Sequence, residues 1–198
     1  MAGCTVKRNY LNEFEKMLPF SLTNAQRRVI NECVADMSSG RPMNRLVQGD
    51  VGSGKTAVAA ALCYTAKNGF QSALMAPTEI LAEQHYKTVC AITENTGIRC
   101  ALLTGSVSKK QKEEIKKALK NGEIDLLVGT HALLTEDTEF DRLGLVITDE
   151  QHRFGVAQRG KLSAKGNNPH TLVMSATPIP RTLGLIIYGD LDISIIDE

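Results

Sequence analysis

A chain of 198 residues, 42% hydrophobic and 23% charged, carries enough apolar side chain for one well-buried core, which excludes a disordered tail and leaves little room for a second domain. A formal net charge of +1 excludes a globally basic nucleic-acid binder, so any such contact must be a local patch on a near-neutral body. The five scattered cysteines, Cys4, Cys33, Cys63, Cys90 and Cys100, form no CxxC pair, and no apolar run is long enough to span a bilayer; a reduced, cytoplasmic protein without a metal-thiolate site is expected.

Residues 1–17 have the weakest pattern and are expected to form a helical linker from an upstream domain, with the folded domain over 18–198. Thr23 is placed to cap a helix carrying Gln26. The β-branched run Arg45 to Gln48 then predicts a buried strand.

Directly after it, Gly49-Asp50-Val51-Gly52-Ser53-Gly54-Lys55-Thr56 fits GxxxxGK[ST] and opens a helical segment over Thr56 to Asn68. Glycines let such a loop wrap its backbone N–H groups around a phosphate, and the helix start adds partial positive charge. Gly49, Asp50, Gly52, Ser53 and Gly54 are therefore expected to cradle the phosphates, Lys55 to reach the β- and γ-phosphates, and the Thr56 hydroxyl to ligate magnesium.

Further strands are predicted at Ser72 to Ala76, Arg99 to Leu103, Asp125 to Val128, Leu143 to Asp149, Thr171 to Met174 and Ile193 to Ile196, with helical periods at Ile80 to Glu94 and Lys109 to Asn121. Alternating strands and helices imply a mostly parallel sheet of about seven strands with helices on both faces, and in such sheets ligands gather beyond the carboxyl ends of the strands. The mixed charges of Lys109 to Lys117, with Glu113 and Lys117 in favourable i,i+4 order, read as a solvated helix face. His85 and His170 show no partner pattern.

The strand Leu143 to Asp149 runs into a second carboxylate, Glu150. Asp149 is expected to hold magnesium, and Glu150 to orient and deprotonate the water that attacks the γ-phosphate. The alternative is a solvated Asp-Glu pair capping the next helix.

The run Asp149-Glu150-Gln151-His152 is a DExH box, and together with the phosphate loop it resembles superfamily 2 helicases and translocases. Phe20 to Gln26 looks like their adenine-reading Q motif, Ala76 to Glu79 like motif Ia, and Ser175-Ala176-Thr177 like motif III. The longer strings APTEILAEQHY from Ala76, GTHALL from Gly129, DEQHRFGV from Asp149 and ATPIPRTL from Ala176 look like the RecG family of DNA helicases, with the Mfd transcription-repair coupling factors as nearest relatives.

That resemblance implies a RecA-like first motor lobe that binds ATP and Mg2+, hydrolyses ATP in its parent protein, and acts on forked or branched DNA together with a second RecA-like lobe and a wedge domain in cis, as a monomer. It implies that Phe20, Thr23 and Gln26 form the adenine site, the alternative being a capped surface helix whose glutamine is solvated. Gln151, His152, Ser175 and Thr177 are implied as residues that couple nucleotide state to DNA, His152 having a purely structural role as its alternative. For DNA contact the candidates are Pro77, Thr78 and Glu79, Thr104, Gly105 and Ser106, Thr130 and His131, and the Arg153-Phe154 pair after the box. Hydroxyls and helix-start N–H groups grip phosphate without reading bases, but ordinary helix caps have the same composition. Two other readings stay open: the motor lobe of a transcription-repair translocase, and a nucleotide-binding module with little turnover.

Overall fold

A computed structural model of the chain describes residues 5, 9–49, 54–130, 137–149, 169–176 and 191–197. The elements run α1 (Leu11–Lys16), α2 (Asn24–Met37), β1 (Asn44–Gln48), α3 (Lys55–Ala66), β2 (Gln71–Met75), α4 (Glu79–Ile92), β3 (Cys100–Leu103), α5 (Lys109–Lys120), β4 (Leu126–Gly129), β5 (Leu143–Asp149), β6 (His170–Ser175) and β7 (Asp192–Ile195). Each of the seven expected strands is present within a residue or so of its expected bounds.

The strands form one sheet in the order β3-β4-β2-β5-β6-β1-β7, with every pairing parallel. Parallel neighbours cannot be joined by a tight turn, and α3, α4 and α5 supply the crossovers between β1, β2, β3 and β4. The expected α/β architecture is thus the observed one. β5 is buried along its whole length, as a strand covered on both faces must be. Its side chains alternate: Leu145 and Ile147 join the core under α1 to α4, while Val146 joins a second core with Leu119 of α5.

The helices differ because their compositions differ. The alanine-rich α3 buries nearly its whole circumference and packs against α1, α2 and α4; its small side chains allow that close fit. On α5 only Leu119 is buried, with Ile115 and Ala118 packed behind it, and its charges pair at the surface as Lys116 with Asp137 (2.7 Å) and Lys120 with Glu139 (3.3 Å). Such exposed pairs contribute at most about 1 kcal/mol each. The segment expected as a linker contains α1, whose Leu11 and Phe14 belong to the main core; the Phe14 ring lies 5.6 Å from that of Tyr64 on α3.

Candidate nucleotide site and strand-end surface

Because the sheet is all parallel, the carboxyl ends of β5, β6 and β1 come out side by side. Asp149 is in register with Met174, and the next β6 residue, Ser175, with Gln48. The two motifs that follow β1 and β5 therefore emerge from one edge, separated only by β6. A cleft of about 770 Å³ opens there, lined by Phe20, Gln26, Gly54, Lys55 and Thr56 together with Asp149.

The chain ahead of α3 is tied down at both ends. Gly49 donates its N–H to the Ser175 carbonyl at 3.0 Å, which joins the base of the phosphate motif to motif III. Lys55 Nζ donates to the Gly49 carbonyl at 2.6 Å. Gly54, the residue before α3, has φ +83° and gives no side-chain cap; its carbonyl accepts from Ala57 N–H at 3.0 Å. Asp50, Gly52 and Ser53 lie outside the described residues.

Gln26 reaches this turn from α2. Thr23 and Gln26 form a reciprocal capping box, with Gln26 N–H donating to Thr23 Oγ1 at 3.1 Å and Thr23 N–H donating to Gln26 Oε1 at 2.8 Å. The other end of the same carboxamide, Nε2, lies 3.5 Å from the Gly54 carbonyl. Gln26 is thus buried and oriented by the cap, not solvated. Phe20, at 43% exposure, lines the cleft.

A Cβ at Gly54 would meet Gln26 Nε2 at 1.9 Å. Gly54→Ala is therefore expected to cost about 2 kcal/mol of stability, from the left-handed backbone and from displacing a capping side chain. In the double variant with Gln26→Ala the obstruction is gone, and denaturant titration should give a combined cost clearly below the sum of the two single ones. Additive costs would show that the two residues do not meet.

Asp149 is 4% exposed and has a partner the sequence did not reveal: His85 Nε2 lies 2.6 Å from its Oδ2. A signal was present. His85 falls in helical step with Ala82, Val89 and Ile92, the buried face of α4, and a polar residue on such a stripe needs a partner. Thr56 and Asp149 offer a hydroxyl and a carboxylate, hard oxygen donors of the kind magnesium takes alongside phosphate oxygens, and the residues fit that ion. Glu150, Gln151, His152 and Thr177 lie outside the described residues. Ser175 is buried.

The strand-end residues expected to touch DNA separate into two groups. Thr78 is exposed and caps α4, accepting from Leu81 N–H at 3.2 Å. Glu79 accepts from the Ser106 hydroxyl at 2.6 Å, and its Oε1 sits where a Cβ on Gly105 would come within 2.7 Å. The Ser106 hydroxyl, followed by the Gly105 and Ser106 N–H groups and the Lys112 ammonium, holds the Glu79 carboxyl below its usual range. Glu79 thereby ties the loop after β3 to the start of α4. Pro77, half-buried, and the exposed Gly105 and Ser106 complete this surface. Thr104 and Thr130, each one residue past the end of its strand, are buried at 1% and 3% exposure, unlike Gly105 and Ser106. His131, Arg153 and Phe154 lie outside the described residues.

The family model described as DEAD/DEAH box helicase matches residues 23–186. The chain belongs to the DEAD/DEAH box helicase family. This DEAD/DEAH box chain is 57% identical to the ATP-dependent DNA helicase RecG of Bacillus subtilis over 198 residues, covering 98% of this chain and 29% of that protein. It is also 57% identical to RecG of Thermotoga maritima, covering 94% of this chain and 24% of that one. The structure of RecG bound to a three-way DNA junction superposes with a TM-score of 0.83 at 51% identity, covering 98% of this chain and 26% of that chain. The UvsW helicase of bacteriophage T4, at 15% identity and a TM-score of 0.70, covering 97% and 70%, shares the fold. The chain thus spans roughly a quarter of the length of the RecG proteins it matches.

In this DEAD/DEAH box domain no cysteine among the described residues lines the cleft. Burial pushes Cys33 and Cys63 up to about 12 and Cys100 to about 11, so none of the three is a thiolate nucleophile at neutral pH. Among the described residues no helix is long and apolar enough to cross a membrane.

Proposed function

We propose that the chain is the ATP-binding first motor lobe of a DNA helicase or translocase that remodels forked or branched DNA. The observation that carries this reading is the convergence of Phe20, Gln26, Lys55, Thr56 and Asp149 on one cleft at the carboxyl edge of a parallel sheet. Phe20 gives the base an apolar face, and Gln26, held by Thr23, turns its remaining hydrogen-bonding capacity to the adenine edge. Lys55 and the N–H groups at the start of α3 bind the phosphates. Thr56 and Asp149 would hold magnesium, which would offset charge developing on the phosphates in transfer. Glu150 takes the proton of the attacking water.

Ser175 connects this site to the DNA side through its backbone bond to Gly49, and Gln151, His152 and Thr177 act in the same relay. DNA backbone is met by the surface of Pro77, Thr78, Gly105 and Ser106 that Glu79 organises, with His131, Arg153 and Phe154 as further contacts. In the whole protein a second RecA-like lobe closes the cleft and a wedge domain engages the branch point.

The test is ATP hydrolysis with and without forked DNA, on this chain and on a version extended through the second lobe. DNA-stimulated turnover in the extended form alone is expected, because groups that stabilise transferred charge come from across the cleft. An extended form that never hydrolyses ATP, or that hydrolyses GTP equally well, would overturn the catalytic reading or the adenine reading respectively.

A further inference from the structure

We propose that His85 is a positioning residue for the magnesium-holding carboxylate of Asp149; this rests on the reading of the cleft as a Mg-nucleotide site. The two side chains meet at 2.6 Å with only 16% and 5% of their surfaces exposed, and both line the cleft that holds Lys55 and Thr56. An ionised carboxylate has no proton to give, so the imidazole donates Nε2–H to Oδ2. His85 lies partway along α4, and helical side chains lean toward their own N-terminus, which here is the end of α4 that follows β2 at the carboxyl edge of the sheet. The ring thus reaches the last residue of β5, the strand beside β2.

Imidazole is a poor match for magnesium, whose ligands are oxygens, so His85 serves the ligand and not the ion. Its bond engages one oxygen and fixes the carboxylate rotamer, so Asp149 presents itself to the cation in a set orientation. Partners of this kind, one bond removed from a metal, commonly govern affinity for the ion while leaving the rest of the pocket intact. A residue that merely filled the wall of the cleft would instead affect nucleotide binding with and without metal alike.

The experiment follows binding of a fluorescent ADP to the chain as a function of magnesium concentration, and separately in EDTA, for the unchanged protein, His85→Ala and His85→Gln. His85→Ala is expected to raise the magnesium concentration at half-effect by about tenfold with the EDTA affinity unchanged. His85→Gln, whose amide N–H can reach Oδ2, is expected to recover most of that shift. Melting temperatures report folding, and if His85→Ala does not fold, His85→Phe fills the space without a donor and replaces it. An unshifted magnesium midpoint overturns the proposal, as does an equal loss of affinity in EDTA. If the unchanged protein binds no ADP, or binds it with no magnesium dependence, the reading of the cleft as a magnesium–nucleotide site fails, an outcome distinct from failure of the histidine variants alone.

Discussion

Replacing Lys55 with alanine is expected to weaken nucleotide binding by about a hundredfold while leaving the melting temperature nearly unchanged. Charge-assisted hydrogen bonds to phosphate contribute about 1.5–3 kcal/mol, and each 1.4 kcal/mol is about tenfold in affinity. Lys55 is the first residue of α3, where its positive charge opposes the positive end of the helix dipole at a cost of roughly 0.3–1 kcal/mol. Its bond to the Gly49 carbonyl offsets that cost, and alanine is the better helix former. In the proposed site this cation meets the phosphates of the nucleotide. Fluorescent-nucleotide titration and a thermal melt on the same samples decide the matter. Affinity within a few-fold of the unchanged protein would remove Lys55 from the phosphate site.

Glu150→Gln is expected to bind ATP as well as the unchanged protein and to lower turnover by about 10² to 10⁴, the range that general-base catalysis supplies. The amide keeps the size and hydrogen-bonding reach of the carboxylate but accepts no proton. Glu150 follows Asp149, which closes β5 in the cleft beside Lys55 and Thr56. Measured in the form extended through the second lobe, single-turnover hydrolysis separates the chemical step from product release. Turnover unchanged by Glu150→Gln would assign the base elsewhere. Asp149→Asn differs in kind: it should raise the magnesium requirement, since it weakens a ligand and not a base.

Several sequence expectations concerned short stretches, and those correspond closely to the structure. β5, Leu143–Asp149, is legible because a strand covered on both faces must be apolar throughout. The Thr23 cap is legible because a hydroxyl three residues ahead of a glutamine at a helix start can satisfy only local N–H groups. α5 is legible because alternating charges with one apolar stripe have no other stable place than a surface. The burial of Thr104 and Thr130 was not legible, for a complementary reason. A threonine at a strand end looks the same in sequence whether the chain has turned outward or not, and burial depends on what packs over it.

The sequence by itself determined which residues form strands and helices and which turn carries the GxxxxGK[ST] pattern, because periodicity, capping and glycine placement act within a few residues. Only the tertiary structure decided that His85 meets Asp149, that Gln26 closes on Gly54 and that Glu79 joins Ser106. His85 and Glu79 are carried by α4, which crosses over between parallel strands, and Gln26 by α2, which precedes the sheet and packs on α3; the order in which the strands pair is a property of the whole sheet that no local pattern records.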